Sequence, residues 1–400
     1  MNAPHSPSPL ASVPMAPSDP ILGVTEAYVA DQNPRKVNLG VGVYYDDNGK
    51  IPLLECVRRA EEQRLKTSPH RGYLPIDGLA AYDRAVQALV FNEESSRIVT
   101  VQAIGGTGGL KIGADFLKTF SPHAPVWISE PSWENHRQLF EAAGFRVQAY
   151  PYYDPGTHGL DFAGMRSALG ALPPGAIVVL HACCHNPTGV DVAPEQWREV
   201  LDIVVSRGLV PFLDLAYQGF GEGLQADGHA ARLFAEATTP VFLASSFSKS
   251  FSLYGERVGA LSVVTADPDE AARVLSNLKR VVRTNYSNPP THGSQIVATV
   301  LGNPELKALW ENELDGMRSR IQSMRKQLVE NIHARAPGAD FSFVLKQRGM
   351  FSYSGLTKEQ VHRLRAEFSI YAIDTGRICV AALNSRNVDY VAGAIAEVIS

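Results

Sequence analysis

Between residues 97 and 264 the chain alternates short apolar runs with longer segments of helical spacing. The apolar runs fall at 97–101, 126–129, 146–150, 177–181, 210–214, 241–244 and 260–264, and helical spacing is predicted through 120 after the first run, then at 134–143, 194–207 and 268–282. Runs that are apolar at successive positions bury both faces, and strands that alternate with helices pair mostly in parallel. Upstream, the pattern predicts helices over 21–30, 53–67 and 79–91, with Asp46-Asp47-Asn48-Gly49 as a turn. After Pro289-Pro290 the texture changes to a long helix over 304–333, short strands at 341–345 and 350–353, a helix over 358–368 and a strand at 378–382. The fold class expected is α/β, with a mostly parallel central sheet covered by helices on both faces and a smaller α+β domain. The expected division is a disordered extension at 1–15, an arm and part of the small domain at 16–48, a large domain at 49–310 and a small domain at 311–400.

Composition narrows the class without naming it. Hydrophobic content of 45%, charged content of 20% and a net charge of −4 describe a globular protein with no electrostatic case for nucleic acid or an anionic membrane. No apolar stretch approaches the length of a membrane span. The first 20 residues lack the basic and apolar regions of a signal peptide, and four cysteines do not make a disulfide framework, so the cytoplasm is the expected compartment.

Candidate chemistry collects just past the ends of the apolar runs, where open α/β sheets bind ligands. The run at 97–101 leads into Gly105-Gly106-Thr107-Gly108-Gly109, and a glycine turn between strand and helix aims N–H groups at an anion. Lys111 breaks the dinucleotide pattern, and Gly109-Leu110-Lys111-Ile112 is not an ATP-binding loop. Asp214 closes the run at 210–214 with Tyr217 beyond it; a lone Asp there is more often a helix cap than a catalyst. Lys249 follows the next run, in Ser245-Ser246-Phe247-Ser248-Lys249, with Arg257 after it. Such a lysine is either a snorkelling surface charge or an amine set inside for chemistry, and nearby serines and an arginine suit a phosphate beside it. A buried amine beside a phosphate site suggests a Schiff-base lysine holding pyridoxal phosphate, with Asp214 as partner of the pyridinium nitrogen. Two glycines in Val37–Tyr44 fit either a strand with a close backbone approach or backbone at Gly42 lining a ligand site. His181-Ala182-Cys183-Cys184-His185 has the wrong spacing for a metal site, and none is expected.

Asn186-Pro187-Thr188-Gly189, Asp214-x-Ala216-Tyr217, Ser246-x-Ser248-Lys249 and Arg257, in that order, resemble the class I aminotransferases of pyridoxal phosphate fold type I, aspartate/aromatic subgroup. Tyr73-Leu74-Pro75-Ile76-x-Gly78, Tyr286-Ser287-Asn288-Pro289-Pro290 and Gly349-Met350-Phe351-Ser352 extend the likeness from about residue 19 to the C-terminus. Trp133-Glu134-Asn135-His136 and Ser250–Arg257 are more similar to bacterial aromatic-amino-acid (tyrosine) aminotransferases than to aspartate-dedicated ones. Gly105 stands where many members carry Ser.

The resemblance implies a role for each matched residue. Lys249 would form the Schiff base and carry the proton, Asp214 would hold the ring nitrogen protonated, and Tyr217 and Asn186 would hydrogen-bond the ring oxygen. Trp133 would stack on the ring, while Gly106, Thr107, Ser246, Arg257 and a second subunit's Tyr73 would hold the phosphate. Arg377 would take the substrate α-carboxylate, with Gly42, Trp133 and Asn186 beside it, and Arg283 a distal carboxylate across a homodimer interface. The implied reaction moves an amino group from aromatic or dicarboxylic amino acids to 2-oxoglutarate, with an aspartate-dedicated enzyme as the alternative. A non-enzymatic regulator that kept this fold would be expected to carry a basic DNA-binding module, which residues 1–20 do not supply.

Overall fold

The computed structural model describes residues 8–15, 20–67, 72–238 and 240–400. Seven strands form the central sheet: β1 Ile98–Ile104, β2 Val126–Glu130, β3 Val147–Pro151, β4 Ile177–His181, β5 Val210–Leu215, β6 Val241–Ser246 and β7 Val258–Val264. Their spatial order is β1-β7-β6-β5-β4-β2-β3; β7 runs antiparallel to both neighbours and every other pairing is parallel. The fold class is thus α/β with a mostly parallel sheet.

Successive residues of a strand point to opposite faces, and here both faces are dry. Phe212, Phe242, Val179 and Leu261 pack with Leu110, Phe116, Phe140 and Leu278 on one side, while Leu213, Leu243 and Val178 pack with Val200, Val204 and Phe234 on the other. Helices Gly105–Phe120, Glu134–Ala142 and Pro268–Asn285 supply the first cover and Ala80–Phe91, Pro194–Arg207 and His229–Ala237 the second. Each buried Phe or Leu of these layers contributes about 1.5–3 kcal/mol of transfer free energy.

Helix Pro304–Arg335 is continuous through residue 310 and links the sheet to the C-terminal elements. Near its start the buried Trp310 indole donates to the Ser250 carbonyl at 2.7 Å, next to Lys249. Further along, the buried Arg325 donates to the carbonyls of Gly349 (2.8 Å) and Phe351 (3.2 Å). Phe351–Tyr353 pairs antiparallel with Arg377–Cys379, and Val37–Asn38 pairs in parallel with Ile370–Tyr371. Helices Lys358–Phe368 and Val388–Ile399 complete this part.

Two expected strands are corrected, and an open alternative is settled in part. The strand expected at 341–345 is the 3-10 helix Ser342–Lys346, started by the Asp340 carboxylate accepting from the Ser342 N–H at 2.8 Å. The strand expected at 378–382 ends at Cys379, and Val380–Ala382 coil into one 3-10 turn. Of the apolar run 37–44 only Val37–Asn38 pair, because the Asn38 carboxamide accepts from the Gly40 N–H at 2.9 Å and turns the chain off the ladder. Residues 1–7 of the expected extension lie outside the described residues; Ser8–Met15 are exposed, and the helix expected over 21–30 is Pro20–Ala30.

Candidate active site

The C-terminal ends of β4, β5 and β6 open on one cavity of about 250 Å³. Gly42, Gly106, Thr107, Trp133, Asn186, Asp214, Tyr217, Ser246, Lys249, Arg257 and Arg377 all line it. The sheet and its loops bring most of them, while Gly42 and Arg377 arrive from the segments that pack beyond it. Tyr73 and Arg283 do not reach this cavity: Tyr73 is 95% exposed, and the exposed Arg283 donates to the Ser287 hydroxyl at 2.5 Å.

Asp214 is held by a relay that sequence reasoning left out. His136 Nε2 lies 2.9 Å from Asp214 Oδ2, and His136 Nδ1 lies 2.9 Å from the Ser132 hydroxyl. The carboxylate accepts from Nε2–H, and the Ser132 hydroxyl meets the other ring nitrogen and fixes the ring's orientation. Burial works to raise the Asp214 pKa, but the His136 hydrogen bond and the charges of His136, His181 and Lys249 outweigh it, and the group sits below the usual carboxylate range. It is an ionised acceptor inside the protein.

Lys249 faces the cavity and is otherwise enclosed; its ammonium sits 4.9 Å from the centre of the Tyr217 ring. Burial lowers its pKa to about 8, with the Asp214 charge opposing the fall and Arg257 assisting it. Burial also pushes the Tyr217 phenol up, with Arg377 only partly offsetting it.

At the other end of the cavity the helix Gly105–Phe120 begins without a side-chain cap, so its first N–H groups are open to an anion. Gly105 has φ +68°, and a Cβ there would lie 2.6 Å from Arg257 Nη2; one on Gly106 would lie 3.1 Å from Ser246 Cβ. The glycines therefore leave a hollow floored by N–H groups and walled by Ser246 and Arg257, whose guanidinium donates to the Ser248 hydroxyl at 3.3 Å. Such a hollow suits a phosphate.

Arg377 is 1% exposed. It donates through Nη2 to the Gly40 carbonyl at 2.6 Å and through Nη1 to the Asn186 carboxamide at 3.2 Å, and it lies over the Phe351 ring at 4.5 Å. Its Nε is buried with no partner among the described residues. The residue lines the cavity, and a guanidinium at its wall suits a carboxylate there.

His181, Tyr254, Ser248 and Phe351 also line the cavity without having been assigned roles from sequence. His181 carried a usable signal, since it ends β4 as Asp214 nearly ends β5 and the two are register partners. Both its ring nitrogens are buried and unpartnered among the described residues, and burial, then the His185 and His136 charges, depress its pKa well below the ordinary value. His136 has no such pattern: a lone histidine on a helix reads as core.

Residues 34–395 match the family Aminotransferase class I and II. The chain belongs to that family. It is 60% identical to the aspartate aminotransferase of Pseudomonas aeruginosa over 97% of this chain and 99% of that one. It is 49% identical to the aromatic-amino-acid aminotransferase of Escherichia coli over 95% and 98%. The crystal structure of the aromatic-amino-acid aminotransferase from Burkholderia pseudomallei, covalently bound to pyridoxal phosphate, superimposes with a TM-score of 0.96 at 63% identity, covering 98% of this chain and all of that one. The donor set here fits the same cofactor: an amine, an ionised carboxylate, an aromatic wall and an anion hollow, in one cavity.

Proposed function

We propose that this chain is a pyridoxal-phosphate-dependent aminotransferase that exchanges amino groups between aromatic or dicarboxylic L-amino acids and 2-oxoglutarate. The observation that carries the reading is the meeting of Lys249, Asp214, Arg257 and Arg377 around one cavity. When bound, pyridoxal phosphate supplies an electrophilic carbonyl carbon and a ring that accepts the electron pair left when Cα loses its proton.

The chain's own groups would do the rest. Gly106, Thr107, Ser246 and Arg257 hold the phosphate, joined by Tyr73 of a second copy. Trp133 covers one face of the ring. Asp214, kept ionised by His136, holds a proton on the ring nitrogen, and Asn186 and Tyr217 donate to the ring oxygen. Lys249 would hold the cofactor through Nζ and, as a free amine, would carry the proton taken from Cα; a pKa near 8 leaves a usable fraction of free amine near neutrality. Arg377 forks onto the α-carboxylate, with the backbone at Gly42 closing that side, and Arg283 of the neighbouring copy meets a distal carboxylate. A homodimer follows from this reading, because Tyr73 and Arg283 are exposed in one chain; the cytoplasm is the compartment we propose for it. Among the described residues no helix is long and apolar enough to cross a membrane.

The test is a set of half-reactions with tyrosine, phenylalanine and aspartate, run on wild type and Lys249→Ala. Wild type should convert all three and the variant essentially none, with loss of the visible absorbance of the lysine-bound cofactor. A variant that turns over at near the wild-type rate would remove the assignment.

A further inference from the structure

A second concavity, of about 520 Å³, shares the chain segment around Gly42 with the active-site cavity but none of its lining residues. Its walls come from residues 28–49 and 382–390. Asn38 lines it, and the Asn38 carboxamide accepts from the N–H of Gly40, whose carbonyl accepts from Arg377; one stretch of chain separates the two cavities.

The charge of this cleft has one sign. Arg35, Lys36 and Arg386 line it, and among the described residues no aspartate or glutamate does. Two carboxylates outside it have hydrogen-bond partners of their own, Asp31 accepting from the Tyr371 hydroxyl at 2.8 Å and Asp47 from the Ser385 hydroxyl at 2.7 Å, while their charges act on Lys36 and Arg386. Lys36 is already used, its ammonium donating to the carbonyls of Asp31 (2.6 Å) and Tyr28 (2.9 Å). Arg35 is not. Its guanidinium lies 4.9 Å from the centre of the Tyr390 ring, and no hydrogen bond or ion pair engages it among the described residues.

Two more donors share one wall. A Cβ built on Gly49 would lie 3.9 Å from Asn384 Nδ2 and 4.0 Å from Arg386 Nη2, so both stand beside this glycine; Arg386 Nη2 donates to the Asp47 carbonyl at 3.1 Å, and the other nitrogens of that guanidinium have no partner among the described residues. Asn384 is 8% exposed, and its oxygen accepts from the Arg386 and Asn387 N–H groups while its Nδ2 donates to nothing among the described residues. Tyr28, Tyr45 and Tyr390 supply flat apolar surface. A free guanidinium stacked on a phenol, an unspent amide donor and aromatic walls, in a volume suited to a small ligand, are the parts of a site for a flat anion.

We propose that this cleft is a second ligand site, separate from the catalytic cavity, for a small aromatic carboxylate held by Arg35, Asn384 and Arg386 and stacked among the tyrosines. The probe is benzoate, titrated calorimetrically into the pyridoxal phosphate holoenzyme. Wild type should bind two benzoates per chain. Arg377→Ala should lose the one in the catalytic cavity and keep the other. Arg35→Glu, at an exposed position, should weaken the second at least tenfold while leaving kcat/KM for tyrosine within twofold and Tm close to that of wild type, and Arg386→Ala should weaken it in the same direction. The proposal falls if wild type binds one benzoate or none, if Arg377→Ala removes all binding, or if Arg35→Glu changes nothing. Inorganic phosphate binding at the Arg35-dependent site as tightly as benzoate would overturn the aromatic specificity.

Discussion

The cavity asks its lysine to sit where a charge is unwelcome, and that cost can be measured in the cofactor-free protein. Folding lowers the Lys249 pKa from 10.5 to about 8, burial being the main cause. Below pH 8 the amine is protonated in both folded and unfolded chains, and the folded state carries the whole penalty. Between pH 8 and 10.5 the unfolded chain still binds the proton while the folded one has released it, so stability rises with pH across that window. Above it the penalty is gone. At 1.36 kcal/mol per unit the penalty would be on the order of 3 kcal/mol, trimmed to roughly 2–3 because one side of the lysine meets cavity water. Replacing Lys249 by Met should therefore stabilise the apoprotein near pH 7. For 400 residues, an unfolding entropy of about 2 cal/mol/K per residue converts that into roughly 2–4 °C of Tm. Thermal unfolding of both apoproteins from pH 6 to 11, at one scan rate, gives the answer. Wild type should gain on the variant between pH 8 and 10.5 and draw level above it. Parallel profiles, or a wild type more stable than the variant at pH 7, would refute the burial of this charge.

Three further outcomes follow from the proposed function. Asp214→Ala should slow Cα proton abstraction in half-reactions much more than Asp214→Glu, since the second keeps the charge; equal losses would mean that placement, not charge, matters. Arg283→Leu should cut kcat/KM for aspartate by about 30- to several-thousand-fold, the ~2–5 kcal/mol of a broken desolvated pair, and that for tyrosine by about tenfold or less; equal loss for both donors would make Arg283 structural. Gly105→Ala puts a Cβ 2.6 Å from Arg257 Nη2 at a φ of +68°, so cofactor affinity should drop by roughly 10- to 100-fold, read by equilibrium dialysis; unchanged affinity would show that Arg257 does not need that space.

The strands that build the cavity were legible because each is an apolar run ended by a residue of different chemistry. The run at 210–214 stops at Asp214 and the run at 241–244 gives way to serines and then Lys249, so strand ends and site residues were found together. Helices His292–Gly302 and Val388–Ile399 were not anticipated. The first carries Ile296, Val297, Thr299 and Val300, which favour strands in isolation, and the second is buried at Val391, Ala392, Ala394, Ile395, Ala396 and Val398, leaving little polar face to mark a helical period. Tertiary packing decides both. The His136 relay was missed for a different reason: its meaning lies in a 2.9 Å contact between residues 78 positions apart, and nothing local announces it.

The charges lining the cavity explain why its parts belong together. Lys249, Arg257 and Arg377 face Asp214 as the one carboxylate among the described lining residues. Asp214 is already engaged by His136, so it cannot neutralise the arginines, and Arg257 adds to the push that lowers the Lys249 pKa. Left to itself the cavity has an excess of positive charge at both ends, beside the helix start and around Arg377. A ligand that brought a doubly charged phosphate to the first end and a carboxylate to the second would cancel that excess at those two places. Lys249 stands between them, half neutral near pH 8, and a neutral amine between two anion sites is the group that can form a bond to a carbonyl carbon. The same burial that lowers the stability of the empty protein is what keeps that amine free to react.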